Sequence, residues 1–410
     1  MSTTLTWSNQ PLSGTAQLPA SKSESNRALI IRALAGGGQL DNLSDANDTQ
    51  LMQRLLANPA ATEFDAEDAG TVMRFLTAYL AATNSHGLLT GTARMQERPI
   101  KVLVDALREL GATISYEKQD GYPPLRLEGW QMPTTSEEEM PELAVRGDIS
   151  SQYISALLMI APTLPQGLLV RLTGKVGSRP YIRMTQALMQ HFGADCRDLG
   201  SVLQVRPQPY HPADYTIESD WSAASYWYAM VALGPQGSEV TLPGLREYSW
   251  QGDQAIVGIM AQLGVATEYV ADGVRLTQIT PSTAAIQDFT DCPDLAQTVA
   301  VVAAALDVPF DMTGLESLRI KETDRIAALQ TEMAKFGGAL TDLGEGRFRV
   351  SATDFRVAGQ SVATYHDHRM AMAFAPLAMR GPLTVEAPQV VRKSYPQFWN
   401  ELQKAGFEVK

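Results

Sequence analysis

The sequence contains 410 residues, of which 45 are acidic and 33 basic, so its formal net charge is −12. This charge argues against binding to nucleic acid or to an anionic membrane, because both favour a basic protein face. Hydrophobic residues make up 45% and charged residues 19% of the chain, as in an ordinary soluble globular protein. At this length we expect two domains, since single hydrophobic cores stop growing beyond about 250–300 residues.

The cysteine content and the N-terminal residues define the expected compartment. Cys196 and Cys292 are the two cysteines, and they offer neither a disulfide framework nor the spacing of a metal site. The first residues lack the basic and apolar regions of a signal peptide, and apolar runs such as residues 299–306 are too short to span a bilayer. We therefore expect a cytoplasmic protein without a bound metal.

The first pattern along the chain is a recurring amphipathic helix that ends in a glycine and leads into a β-like segment. The clear copies end at Gly111, Gly193, Gly264, Gly337 and Gly406. Glycine is common at a helix C-terminus because it adopts the left-handed conformation without steric cost. With a weaker copy at residues 51–58, the pattern indicates about six related α/β units. Helix–glycine–strand is also generic in α/β proteins, so the pattern alone leaves a non-repeating chain equally open.

Four segments place small or hydroxyl residues at the expected start of a helix, at residues 21–27, 68–71, 147–152 and 178–181. Free backbone N–H groups at a helix start bind phosphate or carboxylate groups, and Lys22 and Arg27 add positive charge to the first segment. Taken alone, the first segment is more typical of a capping sequence, and each of the other segments is a weak signal. Residues 134–142 read as a solvated loop. Beyond the four segments, the proline-rich residues 207–212 mark a candidate domain crossing.

The second half of the chain carries the other candidate residues. In residues 321–325 the i, i+4 spacing predicts Lys321 and Arg325 on one helical face, with Glu322 beside them for proton transfer. A surface helix with local ion pairs is the more common meaning of such a run. Asp294 precedes an apolar run, where a helix N-cap is its ordinary role. Cationic clusters in an acidic chain favour a focused site for a small polyanion.

Taken together, these segments resemble the enolpyruvyl transferase family, in the branch that acts on shikimate 3-phosphate. The matching stretches are SKSESNRAL, DAGTVMRFL, RMQERPI, GDISSQY, SRPYI, PDLAQT, LRIKETDR, YHDHRMAM and RKSYPQF, in family order from residue 21 to residue 398. The resemblance implies a two-domain inside-out α/β barrel of six βαβαββ units, three in each domain. It implies one discontinuous domain of residues 1–19 plus 217–410 and one inserted domain of residues 20–216.

The resemblance also implies the reaction. The enolpyruvyl group of phosphoenolpyruvate passes to the 5-hydroxyl of shikimate 3-phosphate by addition and elimination, and phosphate is released. The family needs no cofactor and no metal, acts as a monomer, and is the target of the inhibitor glyphosate. Both substrates carry a phosphate and a carboxylate, so the scattered cations acquire one purpose.

By the same resemblance, residues of this sequence take roles in turn. Catalysis falls to Asp294, Glu322 and Lys22. Shikimate 3-phosphate is held by Lys22, Ser23, Arg27, Ser150, Ser151, Gln152, Ser178, Tyr181, Asp294 and Lys321. Phosphoenolpyruvate is held by Lys22, Gly70, Arg98, Gln152, Arg325, Arg369 and Lys393. Three positions depart from the family pattern, namely Asp68, Phe75 and Ser317, and they concern pocket shape and glyphosate sensitivity.

Two alternatives stay open at this point. A sister enzyme transfers enolpyruvate to UDP-N-acetylglucosamine and carries a reactive cysteine in a mobile loop, a position that neither Cys196 nor Cys292 matches. A non-catalytic anion-binding protein on the same fold is the other alternative. The carboxylates of Asp294 and Glu322 argue against it, because a pure anion site gains nothing from added negative charge.

Overall fold

The computed structural model describes residues 1–131, 140–147, 150–174 and 176–410, so residues 134–139 of the predicted solvated loop lie outside the described part. The chain divides into two compact units. Unit 1 comprises Met1–Ser21, Asp45–Asn47 and Glu218–Lys410, and unit 2 comprises Lys22–Ser44 and Asp48–Ile217. Within the described ranges, no helix has the length and apolar character needed to cross a membrane.

Helices and short strands alternate along both units. The helices are α1 (Lys22–Ala35), α2 (Asn47–Leu56), α3 (Gly70–Ala82), α4 (Lys101–Glu109), α5 (Ser151–Ile160), α6 (Arg179–His191), α7 (Trp221–Leu233), α8 (Ile256–Gln262), α9 (Ala296–Ala305), α10 (Arg325–Ala334), α11 (His368–Phe374) and α12 (Phe398–Ala405). The strands are β1 (Ser2–Thr6), β2 (Leu40–Asp41), β3 (Glu63–Asp65), β4 (His86–Thr90), β5 (Ala112–Tyr116), β6 (Leu125–Trp130), β7 (Glu142–Arg146), β8 (Leu168–Thr173), β9 (Cys196–Asp198), β10 (Val202–Val205), β11 (Tyr215–Thr216), β12 (Glu239–Pro243), β13 (Val265–Val270), β14 (Gly273–Gln278), β15 (Ala285–Asp288), β16 (Phe310–Thr313), β17 (Gly338–Gly344), β18 (Arg347–Ala352), β19 (Ser361–Val362), β20 (Leu383–Glu386) and β21 (Glu408–Val409).

One sheet topology recurs in unit 2. The strand orders β3-β4-β6-β5 and β7-β8-β10-β9 each start with a parallel pair and continue with antiparallel neighbours. The parallel pairs are joined through α3 and α5, because parallel strands need a crossover that is long enough to reach back along the sheet. A small parallel sheet of β2 and β11 completes the unit.

Unit 1 repeats this topology with one rearrangement. The order β15-β16-β18-β17 matches the sheets of unit 2, and a further sheet has the order β12-β14-β13. In the sheet β19-β20-β1-β21, strand β1 from the start of the chain lies between two strands from its end, with Leu5 opposite Leu383 and Val409. The N-terminal strand therefore takes the place that a late strand occupies elsewhere.

The core of unit 1 is helical. Every residue of α7 except Ser222 is buried, and α9 is buried over nine of its ten residues, Ala296 to Ala304. A helix that is apolar on all sides must lie inside the protein. In unit 2 the sheets bury one face, as the alternating pattern of β6 and β8 shows, and they pack on the largely buried helices α3 and α5.

The predicted helix-terminal glycines are confirmed. Each of the five follows a helix and precedes a strand, and their φ angles are +103° at Gly111, +91° at Gly193, +92° at Gly264, +86° at Gly337 and +107° at Gly406. The left-handed conformation satisfies the last helical carbonyl groups and turns the chain back toward its sheet. The glycine pattern in the sequence therefore marks positions where the backbone must adopt the left-handed conformation.

We expect Gly337→Ala to destabilise unit 1. A Cβ atom at this position would lie 2.5 Å from the Thr353 carbonyl oxygen, on a backbone with φ of +86°. Strain and contact together predict a loss of about 2 kcal/mol in the free energy of unfolding, measured with urea. Gly258→Ala is the matched control, because a Cβ atom there meets nothing within 4 Å and helix α8 gains about 0.5–1 kcal/mol. Equal stability of the two variants would contradict the argument.

Candidate functional site

A buried arginine organises the candidate site of unit 1. The Arg325 side chain is 2% exposed, and its guanidinium donates to Asp367 at 2.6 Å, to Asp294 at 3.0 Å and to Glu322 at 2.9 Å. A buried guanidinium needs such partners because an unpaired charge in the interior is very costly. The three carboxylates come from three separate segments, so Arg325 fixes their positions relative to one another.

The predicted helical face of residues 321–325 is wrong in its local structure. The chain forms a 3-10 turn over Glu316–Ile320, and α10 begins only at Arg325. Residues 321–325 do not form a continuous helix because Asp324 is the N-cap of α10, where its carboxylate accepts from the Ala327 amide at 3.1 Å. Lys321 still joins the site, with its Nζ atom 3.9 Å from Asp294 Oδ1.

Asp367 has two structural roles at the start of α11. Its carboxylate accepts from the Arg369 amide at 2.8 Å as the N-cap, and the same side chain holds Arg325. The two preceding residues, Tyr365 and His366, have left-handed φ angles of 53° and 57°. Such angles are uncommon in residues other than glycine, so the surrounding contacts must impose this turn.

Asp294 is a site carboxylate and not the helix cap that its sequence position favours. It lies in the 3-10 turn Pro293–Leu295, and no side-chain cap bond is formed there. Its Oδ1 accepts from Arg325 and its Oδ2 accepts from Arg369 at 2.9 Å. Burial disfavours its charge, but Arg369, Lys321 and Arg325 outweigh that effect and hold the pKa of Asp294 well below its usual range.

Lys393 completes the cluster of unit 1. It ends the 3-10 turn Pro388–Lys393, and its Nζ atom lies 3.9 Å from Glu322 Oε1. The described cluster thus sets four cations, Lys321, Arg325, Arg369 and Lys393, against the three carboxylates of Asp294, Glu322 and Asp367. The excess positive charge suits an anionic ligand, and the carboxylates supply proton acceptors.

In unit 2, the predicted phosphate cradle forms the start of helix α1. Lys22 is the first residue of α1, and its Nζ atom pairs with Asp48 at 3.2 Å. Asp48 is 4% exposed and was not identified from the sequence. Its position in the first turn of α2 is the signal that could have found it, since a buried acid at a helix start needs a partner.

Arg27, a predicted substrate ligand, is almost completely buried. It is 2% exposed, and its guanidinium donates to Thr185, to the Ser23 carbonyl and to Ser155 at 2.8, 2.8 and 3.1 Å. The Tyr181 ring lies 5.6 Å from the same group. Burial lowers the pKa of Arg27 to about 10, which leaves it charged at neutral pH. Arg27 therefore orders Ser23 and Tyr181, two further predicted ligands.

The remaining predicted residues lie at helix starts of the same unit. Gly70 is the first residue of α3, and Arg98 reaches back to the Asp68 carbonyl at 3.3 Å. Gln152, in the first turn of α5, donates to Thr71 at 3.0 Å and so links the starts of α3 and α5.

Two predicted caps have different outcomes. Ser150 is the N-cap of α5 and accepts from the Gln152 amide at 3.3 Å, next to Ser151 as the first helical residue. Ser178 precedes α6 with a left-handed φ of 56° and makes no side-chain cap bond, although the predicted proline is present in the first turn. The Ser178 hydroxyl is thus not consumed by capping its helix.

Each α/β unit holds a buried arginine, Arg325 among carboxylates in unit 1 and Arg27 among hydroxyl groups in unit 2, and such positions suit anionic ligands. A family model described as EPSP synthase (3-phosphoshikimate 1-carboxyvinyltransferase) matches residues 53–402. A protein of Bacteroides fragilis named 3-phosphoshikimate 1-carboxyvinyltransferase is 52% identical over 406 residues, which cover 97% of each chain. A protein of the same name from Sodalis glossinidius is 36% identical and covers 95% of this chain and 94% of its own. The chain belongs to the EPSP synthase family, and the resemblance found in its motifs is confirmed.

Solved structures agree at the level of the fold. EPSP synthase from Acinetobacter baumannii superposes with a TM-score of 0.80 at 21% sequence identity and covers 100% of both chains. The enolpyruvyl transferase NikO from Streptomyces tendae has a TM-score of 0.74 at 15% identity and covers 100% of this chain and 98% of its own. At these identities the likeness shows the α/β fold alone.

Gly70→Ala is expected to disturb Arg98. A Cβ atom at position 70 would lie 2.6 Å from Arg98 Nη2 and 2.9 Å from Arg74 Nη1, so both guanidinium groups must move. We expect the KM for the anion that Arg98 is predicted to bind to rise by about tenfold, the effect of one weakened charge-assisted hydrogen bond. Steady-state kinetics measures it, with Gly258→Ala as the control. An unchanged KM would remove Gly70 and Arg98 from the site.

The lowered pKa of Asp294 predicts a pH-dependent contribution to stability. The pKa is depressed in the folded state, so this contribution is fully present above the unfolded value near 4 and is lost as pH falls further. Asp294→Asn lacks it. The difference in unfolding free energy between the two proteins should shrink as pH falls below ~4. Urea unfolding at several pH values measures this, and a pH-independent difference would refute it.

Proposed function

We propose that this protein transfers the enolpyruvyl group of phosphoenolpyruvate to the 5-hydroxyl of shikimate 3-phosphate and releases phosphate. The observation that carries the proposal is the Arg325 cluster, in which cations surround two carboxylates, Asp294 and Glu322. Cations neutralise the phosphates and carboxylates of both substrates, and the two carboxylates supply the proton transfers. Membership of the EPSP synthase family supports the same reaction.

The carboxylates take two proton transfers in the proposed mechanism. Asp294 accepts the proton of the 5-hydroxyl as that oxygen attacks C2 of the enol, while C3 is protonated, and a tetrahedral ketal phosphate results. Loss of one proton from C3 then re-forms the double bond as the C2–O bond to phosphate breaks. Glu322 donates the proton to C3 in the addition and accepts the proton that C3 loses in the elimination, and Lys22 assists these transfers.

The charge balance explains how Asp294 becomes an effective base. Without substrate, Arg369, Lys321 and Arg325 hold its pKa well below the usual range, so it is a weak proton acceptor. An anionic substrate that pairs with Arg369 and Lys321 weakens this stabilisation of the carboxylate charge. The pKa of Asp294 then rises toward the working pH at the moment the proton must move.

The proposal distributes the substrates over the predicted ligands. Shikimate 3-phosphate binds Lys22, Ser23, Arg27, Ser150, Ser151, Gln152, Ser178, Tyr181, Asp294 and Lys321, and phosphoenolpyruvate binds Lys22, Gly70, Arg98, Gln152, Arg325, Arg369 and Lys393. Support comes from burial, because all of these side chains are buried or half-buried in their units. Arg325 acts mainly through the carboxylates that it holds.

The finer architecture belongs to the same proposal. We assign residues 1–19 plus 217–410 and residues 20–216 to two inside-out α/β barrel domains, each of three βαβαββ units. The repeated topology of the sheets β3-β4-β6-β5, β7-β8-β10-β9 and β15-β16-β18-β17 supports this. A cytoplasmic monomer, with glyphosate as a candidate inhibitor, completes the proposal, and light scattering of the purified protein tests its monomeric state.

Phosphate release from phosphoenolpyruvate tests the reaction. We expect release with shikimate 3-phosphate and none with UDP-N-acetylglucosamine. Asp294→Ala should lower kcat by about 10²–10⁴-fold, the usual contribution of a general base. Asp342→Ala is the control, because its carboxylate is 46% exposed and contacts Arg319 outside the Arg325 cluster.

Each other outcome has a defined meaning. Release with the nucleotide sugar would assign the sister activity, and tight binding of both substrates without release would indicate a binding protein. An Asp294→Ala variant with wild-type kcat would leave the reaction in place and remove Asp294 as its base.

A further inference from the structure

Asp253 is a buried carboxyl group that the proposed mechanism does not use. It is 3% exposed and lies in the 3-10 turn Gly252–Ala255, beside the start of α7. Its Oδ2 accepts a hydrogen bond from the Ser222 hydroxyl, and its Oδ1 has no hydrogen-bond partner among the described residues. A carboxyl group buried in this way costs free energy, so its retention at this place calls for a function.

A directional chain of hydrogen bonds connects Asp253 to the Arg325 cluster. Because the Ser222 proton points to Asp253, the lone pairs of Ser222 Oγ face Arg369, whose Nη2 lies 3.4 Å away. The same Nη2 donates to Asp294 at 2.9 Å. On its other side, Arg369 Nη1 approaches the Tyr226 hydroxyl and the Asp294 carbonyl, both at 3.4 Å. Three neutral oxygens and the Asp294 carboxylate thus accept hydrogen bonds from Arg369 and set the orientation of its guanidinium.

We infer that Asp253 is a positioning residue, which acts through Ser222 to hold the Arg369 guanidinium in the orientation that binds phosphoenolpyruvate. This inference rests on the proposed function for the identity of the ligand. Without Asp253 the Ser222 hydroxyl is free to rotate, and a rotated hydroxyl directs its proton toward Arg369 and repels it. Asp253 touches no substrate in this assignment.

The charge of Asp253 adds a second effect on the same guanidinium. Burial and the Asp294 charge raise the pKa of Asp253 to about 7, against the opposing effect of Arg369. Asp220 also faces it with like charge, while Ser222 is neutral and burial keeps the nearby Cys292 thiol protonated by raising its pKa. Below pH 7 Asp253 is therefore mainly neutral, with the proton on the unpartnered Oδ1, so Oδ2 still accepts from Ser222 and the net positive charge of the cluster is intact. Above pH 7 its negative charge offsets one cation.

Four variants test the chain by steady-state kinetics of phosphate release. Ser222→Ala and Asp253→Ala should each raise the KM for phosphoenolpyruvate by about tenfold at pH 6, with the KM for shikimate 3-phosphate within twofold of wild type. The double variant should resemble either single variant, because both substitutions interrupt one chain. Glu401→Gln is the matched control, a buried carboxylate of unit 1 that binds the Gln17 amide and Lys404 and should leave both KM values unchanged.

The pH profile gives a readout that a merely structural role would not change. Asp253→Asn keeps an acceptor for Ser222 and should restore the wild-type KM at pH 6. Between pH 6 and 8.5 the wild-type KM for phosphoenolpyruvate should rise relative to that of Asp253→Asn, with a midpoint near pH 7. Any change in the ionisation of the ligand itself cancels in this comparison.

Several results would overturn the inference. These are an unchanged KM in Ser222→Ala and Asp253→Ala, effects that multiply in the double variant, or equal increases in the KM of both substrates. A wild-type protein that releases no phosphate would instead refute the proposed function. In that case, calorimetric titration of phosphoenolpyruvate into the same variants applies the same criteria to the dissociation constant, so the two failures are distinguishable.

Discussion

The interior of unit 1 depends on the compensation of one buried positive charge. Arg325 is closed off from solvent, and its planar guanidinium has donors in fixed directions, so three carboxylates must meet it at set angles. Two of these, Asp294 and Glu322, are the groups with proposed proton-transfer roles. The third, Asp367, starts helix α11 and thereby sets the position of Arg369. In unit 1 the contacts that offset the buried charge of Arg325 therefore also fix the carboxylates that have proposed proton-transfer roles.

Unit 2 reaches a comparable arrangement by other means. Arg27 is fully enclosed, but its hydrogen-bond partners are two hydroxyl groups and a carbonyl, and the buried Glu24 acts on its charge only through space. The helix starts around it add partial positive charge from their free amide groups. An anion that binds here meets a preorganised positive region, whereas an anion at the Arg325 cluster meets paired charges whose balance it changes. In the proposed mechanism the two units therefore contribute to binding and proton transfer in different proportions.

The sequence predicts the local features of the protein better than its long-range pairings. The helix-terminal glycines at 111, 193, 264, 337 and 406 and the Ser150 cap follow from backbone sterics and nearest-neighbour hydrogen bonds, so they are legible in the sequence. The Lys22–Asp48 pair, the enclosure of Arg27 and the Asp253–Ser222 contact join residues whose proximity depends on the folded chain. The predicted helix over residues 321–325 is wrong because Asp324 acts as an N-cap, so the helix begins only at Arg325. Roles that came from the family resemblance, such as those of Arg369 and Lys393, have no such local signature.

The insertion of β1 between β20 and β21 has a consequence for the order in which the chain acquires its structure. Thr4 exchanges backbone hydrogen bonds with Lys410, so the first strand of unit 1 finds its partners only when the last residues are available. Unit 2, by contrast, has all its described strand partners within residues 22–217. During synthesis from the N-terminus, unit 2 is able to complete its sheets while β1 is still an unpaired segment, and the sheet β19-β20-β1-β21 of unit 1 forms only after β20 and β21 have been made.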